Sequence, residues 1–273
     1  MVSNLYGLSG EEIVQRMEQI YDDNSDSEKN SWRVSLPKLI EVVQRAGLGN
    51  LYLATEYELP AGGRIDATLI GDDDNGNHHA LVIELKQWSR CGVEYYSNNG
   101  FPAIKVNATN PYLSRHPVNQ TKEYTDALIS NHSNVVNGQL SISGCQYLHE
   151  FEISEKDFFV QDGYSDVDIS NMFVMGEEGA FADYLKSMFS SAADNEEAKT
   201  LFVEGEYVTT EMDMEIINRI TESPDNIPLW HDQSKILDYI MPLLEQQAQG
   251  SLTTKHMILI AGAAGTGKTI VGF

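Results

Sequence analysis

The feature that most constrains the fold is the segment 64–86, in which two short runs of apolar residues flank a stretch of turn-forming residues. Apolar and polar side chains alternate from residue 64 to residue 70, which is typical of a half-buried strand. Residues 71–77 contain only Gly, Asp and Asn, which tolerate the backbone angles of tight turns. Residues 79–85 form a second, mainly apolar run. We therefore predict a β-hairpin over this segment.

Three charged side chains lie at one end of the predicted hairpin. Asp66 is on the first strand, Glu84 is at the end of the second, and Lys86 follows Glu84 by two residues and therefore shares its face. Two carboxylates this close repel each other, so their burial makes sense when a cation lies between them. The alternative is an exposed hairpin with a surface Glu and Lys. The apolar residues 81–83 favour burial.

A helix is predicted at residues 116–128, after the hairpin. Pro117 suits the first helical turn, because its missing N–H is not needed there. Gln120 and Tyr124 are four residues apart and therefore lie on one helical face. The alternative is an ordinary amphipathic helix in which Tyr124 is a core aromatic residue.

The order of Asp66 and then Glu84-Leu85-Lys86 resembles the PD-(D/E)xK nuclease superfamily. The resemblance implies a restriction-endonuclease-like α/β core, with a mixed sheet flanked by helices. It also implies that Asp66, Glu84 and the main-chain carbonyl of Leu85 bind Mg²⁺ or Mn²⁺. Lys86 is then the residue that orients or activates the attacking water. Ile65 stands where many members have proline, which leaves the carboxylate chemistry unchanged.

Two helical features add to this resemblance. Gln120 and Tyr124 resemble the Gln-x-x-x-Tyr motif of RecB-type and lambda-exonuclease-type members, which implies that they orient Lys86 or the substrate. Related nucleases often carry an acid on the helix before the sheet. Glu41 lies on such a helix, predicted to begin near Ser35, and is therefore a candidate extra metal ligand. The alternative for Glu41 is a solvated surface residue.

Composition and charge limit the classes of function. The chain has 273 residues, 41% of them apolar, and a net charge of −23, which argues against a passive nucleic-acid coat. Residues 60–125 carry seven acidic and six basic residues, whereas residues 126–250 carry a net charge of −19. A phosphate backbone could therefore approach the first segment with a divalent metal present. An ordinary acidic surface explains the second segment equally well.

The cysteines and the apolar segments indicate the compartment. Cys91 and Cys145 are too few and too far apart for a metal knuckle or a disulfide framework, which fits a reducing cytoplasm. No stretch approaches eighteen apolar residues, and the N-terminus has no signal-peptide pattern. We expect a cytoplasmic protein with no membrane partner. An oligomer or a partner protein is compatible with the sequence.

Other elements follow from periodicity and capping patterns. Beyond the hairpin and its following helix, we predict strands at 51–59 and 139–148, a helix that begins at Ser9, a helix that begins near Ser35 with Pro37 in its first turn, and helices near 181–189 and 212–220.

The segment 262–269 has the pattern of a phosphate-binding loop, and it follows an apolar run at 256–261 that is predicted to be a strand. In such a loop the main-chain N–H groups bind phosphates, the lysine contacts the β and γ phosphates of ATP, and the threonine binds Mg²⁺. A glutamine upstream resembles the adenine-contacting residue of UvrD-like and Schlafen-like helicases, although a surface role is equally compatible. The candidate ATP-binding residues are Gly262, Gly265, Gly267, Lys268, Thr269 and Gln233.

Over nearly its whole length the chain resembles the bacterial Schlafen-like helicase family with an N-terminal PD-(D/E)xK domain. The residues that carry the resemblance are Ser31-Trp32, Ser35-Leu36, Arg64-Ile65-Asp66, 82–88, His116-Pro117 with Gln120 and Tyr124, 147–149 and the phosphate loop.

The resemblance implies a nuclease domain with an acidic C-terminal extension over residues 1–222. A linker and the start of a P-loop helicase or NTPase domain would follow over residues 223–273. It implies a nuclease for nucleic acid, with DNA favoured over RNA, coupled to ATP-driven translocation and acting in defence against phage or other foreign DNA. Because the sequence ends just after the phosphate loop, we expect a truncated chain with an inactive ATPase part.

Two other classes of function are alternatives to a nuclease. The first is a catalytically silent nucleic-acid-binding or regulatory module of a P-loop helicase, which has no reason to keep the clustered charges of Asp66, Glu84 and Lys86. The second is a stand-alone ATPase, which conflicts with the missing part of the NTPase domain.

Overall fold

The structure is a computed structural model of the chain. It describes residues 1–21, 26–60, 62–98, 101–108 and 111–208, and beyond these only positions 236, 240, 242, 243 and 249. The chain divides into two compact units, one of Met1–Leu59 with Arg64–Val208 and one of Pro60–Gly63 with Thr209–Phe273. All elements named below belong to the first unit. The predicted domain boundary at 222/223 lies outside the described residues.

The first unit contains both α-helices and β-strands. Its α-helices are α1 (Gly10–Met17), α2 (Asp26–Ala46), α3 (Pro117–Asn131), α4 (Ser133–Val136), α5 (Glu178–Met188) and α6 (Glu196–Val203). Its strands are β1 (Tyr52–Glu58), β2 (Arg64–Asp72), β3 (His78–Lys86), β4 (Val93–Asn98), β5 (Phe101–Val106), β6 (Tyr112–Ser114), β7 (Ser141–Glu152) and β8 (Met172–Met175). Short 3-10 helices lie at Val2–Leu5, Arg90–Gly92, Ile153–Val160 and Asp162–Tyr164.

A five-stranded mixed sheet forms the centre, with the order β1-β2-β3-β7-β8. The pairs β1/β2 and β2/β3 are antiparallel, whereas β3/β7 and β7/β8 are parallel. A separate antiparallel sheet has the order β4-β5-β6. The predicted α/β class, with a mixed sheet flanked by helices, is confirmed.

The hairpin of β2 and β3 is held by its turn. Asp73 Oδ1 accepts the main-chain N–H groups of Asn75 and Asn77, each at 2.8 Å. Gly76 has φ +80, which a residue without a Cβ adopts at no steric cost. These local contacts fix the register in which Ala67 lies opposite Ile83.

Both faces of the central sheet are covered by helices. On β3, Leu81 and Ile83 pack in a core with α1, α2 and α5, whereas Ala80 and Val82 pack in a core with α3 and α6. This alternation follows from the two-residue period of a strand. Glu84 follows Val82 by two residues and therefore belongs to the side of the sheet on which α3 lies.

Helix α2 begins earlier than predicted. We expected a start near Ser35 with Pro37 in the first turn, but α2 contains Pro37 in its interior. Proline lacks the N–H that would bond to the carbonyl of Arg33 in the preceding turn. A Cβ added at Gly10 would lie only 2.2 Å from that carbonyl oxygen, so glycine lets α1 pack closely against this point. Tertiary packing therefore overrides the local signal of the proline.

The other predicted elements are confirmed where the structure describes them. The predicted strands at 51–59 and 139–148 correspond to β1 and β7, and the predicted helices at Ser9, 116–128 and 181–189 correspond to α1, α3 and α5. The helix predicted at 212–220 lies outside the described residues. The sheet β4-β5-β6 and helix α6 were not predicted. Within the described part of the chain, no helix combines the length and apolar character needed to cross a membrane.

Candidate active site

The site is built where β2 and β3 stop pairing. The paired register ends at Ala67 and Ile83. Beyond that point, the main-chain N–H of Leu85 donates to Asp66 Oδ2 at 2.9 Å. The Asp66 carboxylate is therefore held by the strand that carries Glu84, which brings the two predicted acids together.

Glu84 is a buried acid without adequate hydrogen bonding. It is 1% exposed, and Lys86 Nζ lies 2.5 Å from its Oε1. That contact is an ion pair by distance. Among the described residues, neither oxygen of Glu84 has a partner in a properly directed hydrogen bond. A buried carboxylate in this state is costly unless something else binds it.

The environment shifts the ionisation of all three side chains. Burial, and then the negative charge of Asp66, raises the pKa of Glu84 to about 8. Burial also raises the pKa of Asp66, although the charge of Lys86 opposes this. Burial alone lowers the pKa of Lys86, but the charges of Glu84 and Asp66 outweigh it and raise the pKa above the usual value. At neutral pH the carboxyl pair therefore retains a proton, and Lys86 is an ammonium ion.

These residues fit a divalent cation. The carboxylates of Glu84 and Asp66 supply hard oxygen ligands, which Mg²⁺ and Mn²⁺ prefer, and neither Glu84 oxygen has a properly directed hydrogen bond among the described residues. The role of the Leu85 carbonyl as a main-chain ligand stays a prediction. In the described part of the chain, no group of three or more His, Cys, Asp or Glu side chains is placed to hold a metal. The site therefore offers two carboxylates, and water and substrate oxygens would complete the shell of a Mg²⁺ ion.

The predicted pair on α3 is directed at the same site. Gln120 Nε2 donates to the Tyr124 hydroxyl at 3.1 Å. Burial raises the pKa of Tyr124, and the charge of Glu84 adds to the shift. The structure thus brings Tyr124 within electrostatic range of Glu84 and places Gln120 behind its hydroxyl group.

Two contacts fix α3 over the sheet. His116 caps the helix: its Nδ1 accepts from the N–H of Val118 at 3.2 Å, and its Nε2 lies 3.0 Å from the Phe159 carbonyl oxygen. Burial lowers the pKa of His116 to about 4, so the ring is neutral and Nε2 is the donor. A Cβ added at Gly144 would lie 2.5 Å from Thr121 Cγ2, so glycine on β7 lets α3 approach closely.

Glu41 does not join the pair. Its side chain is 64% exposed and forms an ion pair with Lys38 at 3.2 Å. Its neighbours Ile40 and Val42 are buried, but the exposure of the Glu41 side chain shows that it faces solvent.

A network of polar side chains next to this site was not predicted from the sequence. Glu56 on β1 is buried, has φ +50, and accepts from Trp32 Nε1 at 2.5 Å. Its other oxygen, Oε2, lies 2.6 Å from Arg64 Nε. Arg64 also pairs with Glu28, which lies on α2, the helix that carries the predicted ligand Glu41. No local pattern singles out Glu56, since its partners come from α2 and β2.

Two buried polar residues beside the carboxyl pair were also missed. Thr68 is fully buried, and its hydroxyl group has no hydrogen-bond partner among the described residues. It follows Asp66 by two residues and shares its face of β2. Gln146, which is also buried, lies directly beside Glu84 in the parallel register of β3 and β7. Buried polar residues inside apolar strands are the signal that could have identified both.

Comparison of the chain with protein-family models, with curated proteins and with solved structures found no match.

The remaining predicted site residues lie outside the described residues: Gly262, Gly265, Gly267, Lys268, Thr269 and Gln233. Their ATP-binding role stays a prediction.

Proposed function

We propose that this chain is a metal-dependent nuclease with a PD-(D/E)xK site, and that it hydrolyses phosphodiester bonds in nucleic acid. The observation that carries the proposal is the buried pair of Asp66 and Glu84 with Lys86 beside it, in which both oxygens of Glu84 lack a hydrogen-bond partner among the described residues. Costly buried charges of this kind are typical of functional sites.

The side chains divide the chemical work. Asp66, Glu84 and the Leu85 carbonyl would hold Mg²⁺ or Mn²⁺. A bound divalent ion lowers the pKa of water and neutralises charge that builds up on the phosphate. Lys86 is an ammonium ion, so it acts as a positive charge that orients the attacking water and stabilises the developing charge on the phosphate oxygens.

The α3 pair supports this arrangement. The Tyr124 hydroxyl, held by Gln120, lies on the side of the sheet that carries Glu84, where it can orient Lys86 or the substrate. The neutral His116 fixes the start of α3 and therefore the direction from which both side chains reach the site.

The charge distribution supports nucleic acid as the substrate. Residues 60–125, which contain the site, carry seven acidic and six basic residues, whereas residues 126–250 have a net charge of −19. A polyanion would therefore approach the near-neutral region. We favour DNA over RNA on the resemblance to Schlafen-like helicases. We also propose that the P-loop at 262–269 binds ATP with Mg²⁺ and couples cleavage to translocation in defence against foreign DNA.

The proposal is tested by cleavage of end-labelled single-stranded and double-stranded DNA and RNA, in linear and circular forms. We expect cleavage with Mg²⁺ or Mn²⁺, none with EDTA, and none by Asp66→Asn or Glu84→Gln. Glu41→Gln is the matched acidic control and should cleave normally. Metal-independent binding without cleavage of any substrate would instead support a silent nucleic-acid-binding module.

A further inference from the structure

Arg64 lies near Asp66 in the chain but forms its ion pairs with two other acids. It precedes Asp66 by two residues on β2. Among the described residues, however, the ion pairs of Arg64 are with Glu28 and Glu56 and not with Asp66. The Arg64 charge still acts on Asp66 from a distance.

Glu56, one of the two acids that pair with Arg64, has an unusual backbone conformation. Its φ of +50 is rare for a residue with a Cβ, and its side chain is only 8% exposed. The flanking pairs Thr55↔Ala67 and Tyr57↔Ile65 place it across from Asp66. Strained residues of this kind persist where the surrounding structure holds them, and they cluster at functional sites.

The contacts of Glu56 leave it no free oxygen. Trp32 Nε1 donates to Oε1 at 2.5 Å, and Arg64 Nε lies 2.6 Å from Oε2. Glu56 is therefore placed to hold the guanidinium group and not to bind a metal itself. Glu28, near the start of α2, accepts a hydrogen bond from Nη2 of the same guanidinium group.

Release of Arg64 would change the state of Asp66. A guanidinium group that is released close to a carboxylate can form a two-pronged ion pair with it. Such a pair would occupy the oxygens that a divalent cation needs and would neutralise part of the charge that attracts it.

We propose that Glu56, assisted by Glu28, is a positioning residue that holds Arg64 away from Asp66 and so keeps Asp66 available for a divalent cation. The inference rests on the metal site of the proposed function. It assigns a role to a strained, buried glutamate that contacts neither the metal nor the substrate.

The test measures Mn²⁺ affinity by titration calorimetry in four variants of the whole chain. Glu56→Gln should bind Mn²⁺ at least about tenfold more weakly than wild type, as is typical when a residue behind a metal ligand is changed. Arg64→Gln should bind about as well as wild type. The double variant, Glu56→Gln with Arg64→Gln, should recover the affinity that the single glutamate change loses. Glu58→Gln, at the exposed end of the same strand, is the control and should bind normally.

The recovery in the double variant separates this role from a purely structural one. If Glu56 acts on the metal site by a route that does not involve Arg64, removal of Arg64 does not restore metal affinity, so a double variant as weak as Glu56→Gln overturns the inference. If Glu56→Gln does not fold, Glu28→Gln, at the more exposed end of the network, takes its place. We expect a smaller loss of Mn²⁺ affinity in Glu28→Gln, and we expect Arg64→Gln to reverse it. Unchanged Mn²⁺ affinity in Glu28→Gln would refute the inference.

Failure of the proposed function gives a different result. A wild-type chain that binds no Mn²⁺ removes the metal site and this inference together. A wild-type chain that binds Mn²⁺, with Glu56→Gln binding equally well, removes this inference alone.

Discussion

Replacing Glu84 with glutamine should change how the stability of the metal-free protein depends on pH. The pKa of Glu84 in the folded chain is about 8, against 4.5 for an ordinary glutamic acid. Because the folded state holds this proton more tightly, the group contributes stability that is fully present below pH 4.5 and is lost as the pH rises through about 8. Glutamine does not titrate, so the variant lacks this contribution.

The magnitude follows from the shift. Each pKa unit corresponds to about 1.4 kcal/mol, so the full shift corresponds to about 5 kcal/mol. Coupling to Asp66 spreads proton uptake over two carboxyl groups. We therefore expect wild type to lose at least about 2 kcal/mol more than Glu84→Gln between pH 5 and pH 9.

Urea unfolding in EDTA at several pH values measures this difference. The slope of the unfolding free energy against pH should be more negative for wild type, by up to about 1.4 kcal/mol per pH unit between pH 5 and pH 8. Glu41→Gln, an exposed acid paired with Lys38, should follow the wild-type slope. Equal slopes for wild type and Glu84→Gln would refute the idea that a proton is retained at Glu84.

Three further substitutions test the parts of the site. Lys86→Ala should slow cleavage by about a hundredfold, as loss of a charge-stabilising group does, and should largely keep the affinity for Mn²⁺. Loss of Mn²⁺ binding would instead make Lys86 part of the metal site. Gln120→Ala should slow cleavage about tenfold or more without changing the circular dichroism spectrum, because it holds the Tyr124 hydroxyl, and an unchanged rate would return Gln120 to an ordinary helical role. Thr68→Val should stabilise the metal-free chain by about 1 kcal/mol in urea unfolding, because it removes a buried hydroxyl group that has no hydrogen-bond partner among the described residues. If Thr68→Val is less stable than a Thr68→Ser control, the hydroxyl group has a hydrogen-bond partner.

Local patterns were sufficient to predict the centre of the fold. The alternation of β2 and the turn at 71–77 specify the hairpin, and the hairpin register by itself places Asp66 near Glu84. The four-residue spacing of Gln120 and Tyr124 likewise predicted a contact that the structure contains. These features depend on residues close together in the chain.

The features that were missed depend on contacts between distant segments. The early start of α2 results from packing around Pro37 that no local rule describes. The acid on α2 that contacts β2 is Glu28, through Arg64, whereas Glu41 pairs with Lys38 on its own helix. Which of the two acids contacts the sheet depends on the orientation of the whole helix. Glu56, which has a positive φ, accepts a hydrogen bond from Trp32 on α2, and no pattern within β1 could predict a contact with that helix.

The central claim is that Asp66 and Glu84 form a divalent-cation site, and Mn²⁺ titration calorimetry at pH 7 tests it most directly. When the titration is repeated in buffers of different ionisation enthalpy, it also counts the protons released. We expect one Mn²⁺ per chain at this site and release of about one proton, because the carboxyl pair retains a proton near neutral pH. Asp66→Asn and Glu84→Gln should each abolish binding, whereas Glu41→Gln should not. Absence of binding by wild type, or binding that persists in Glu84→Gln, would contradict the claim.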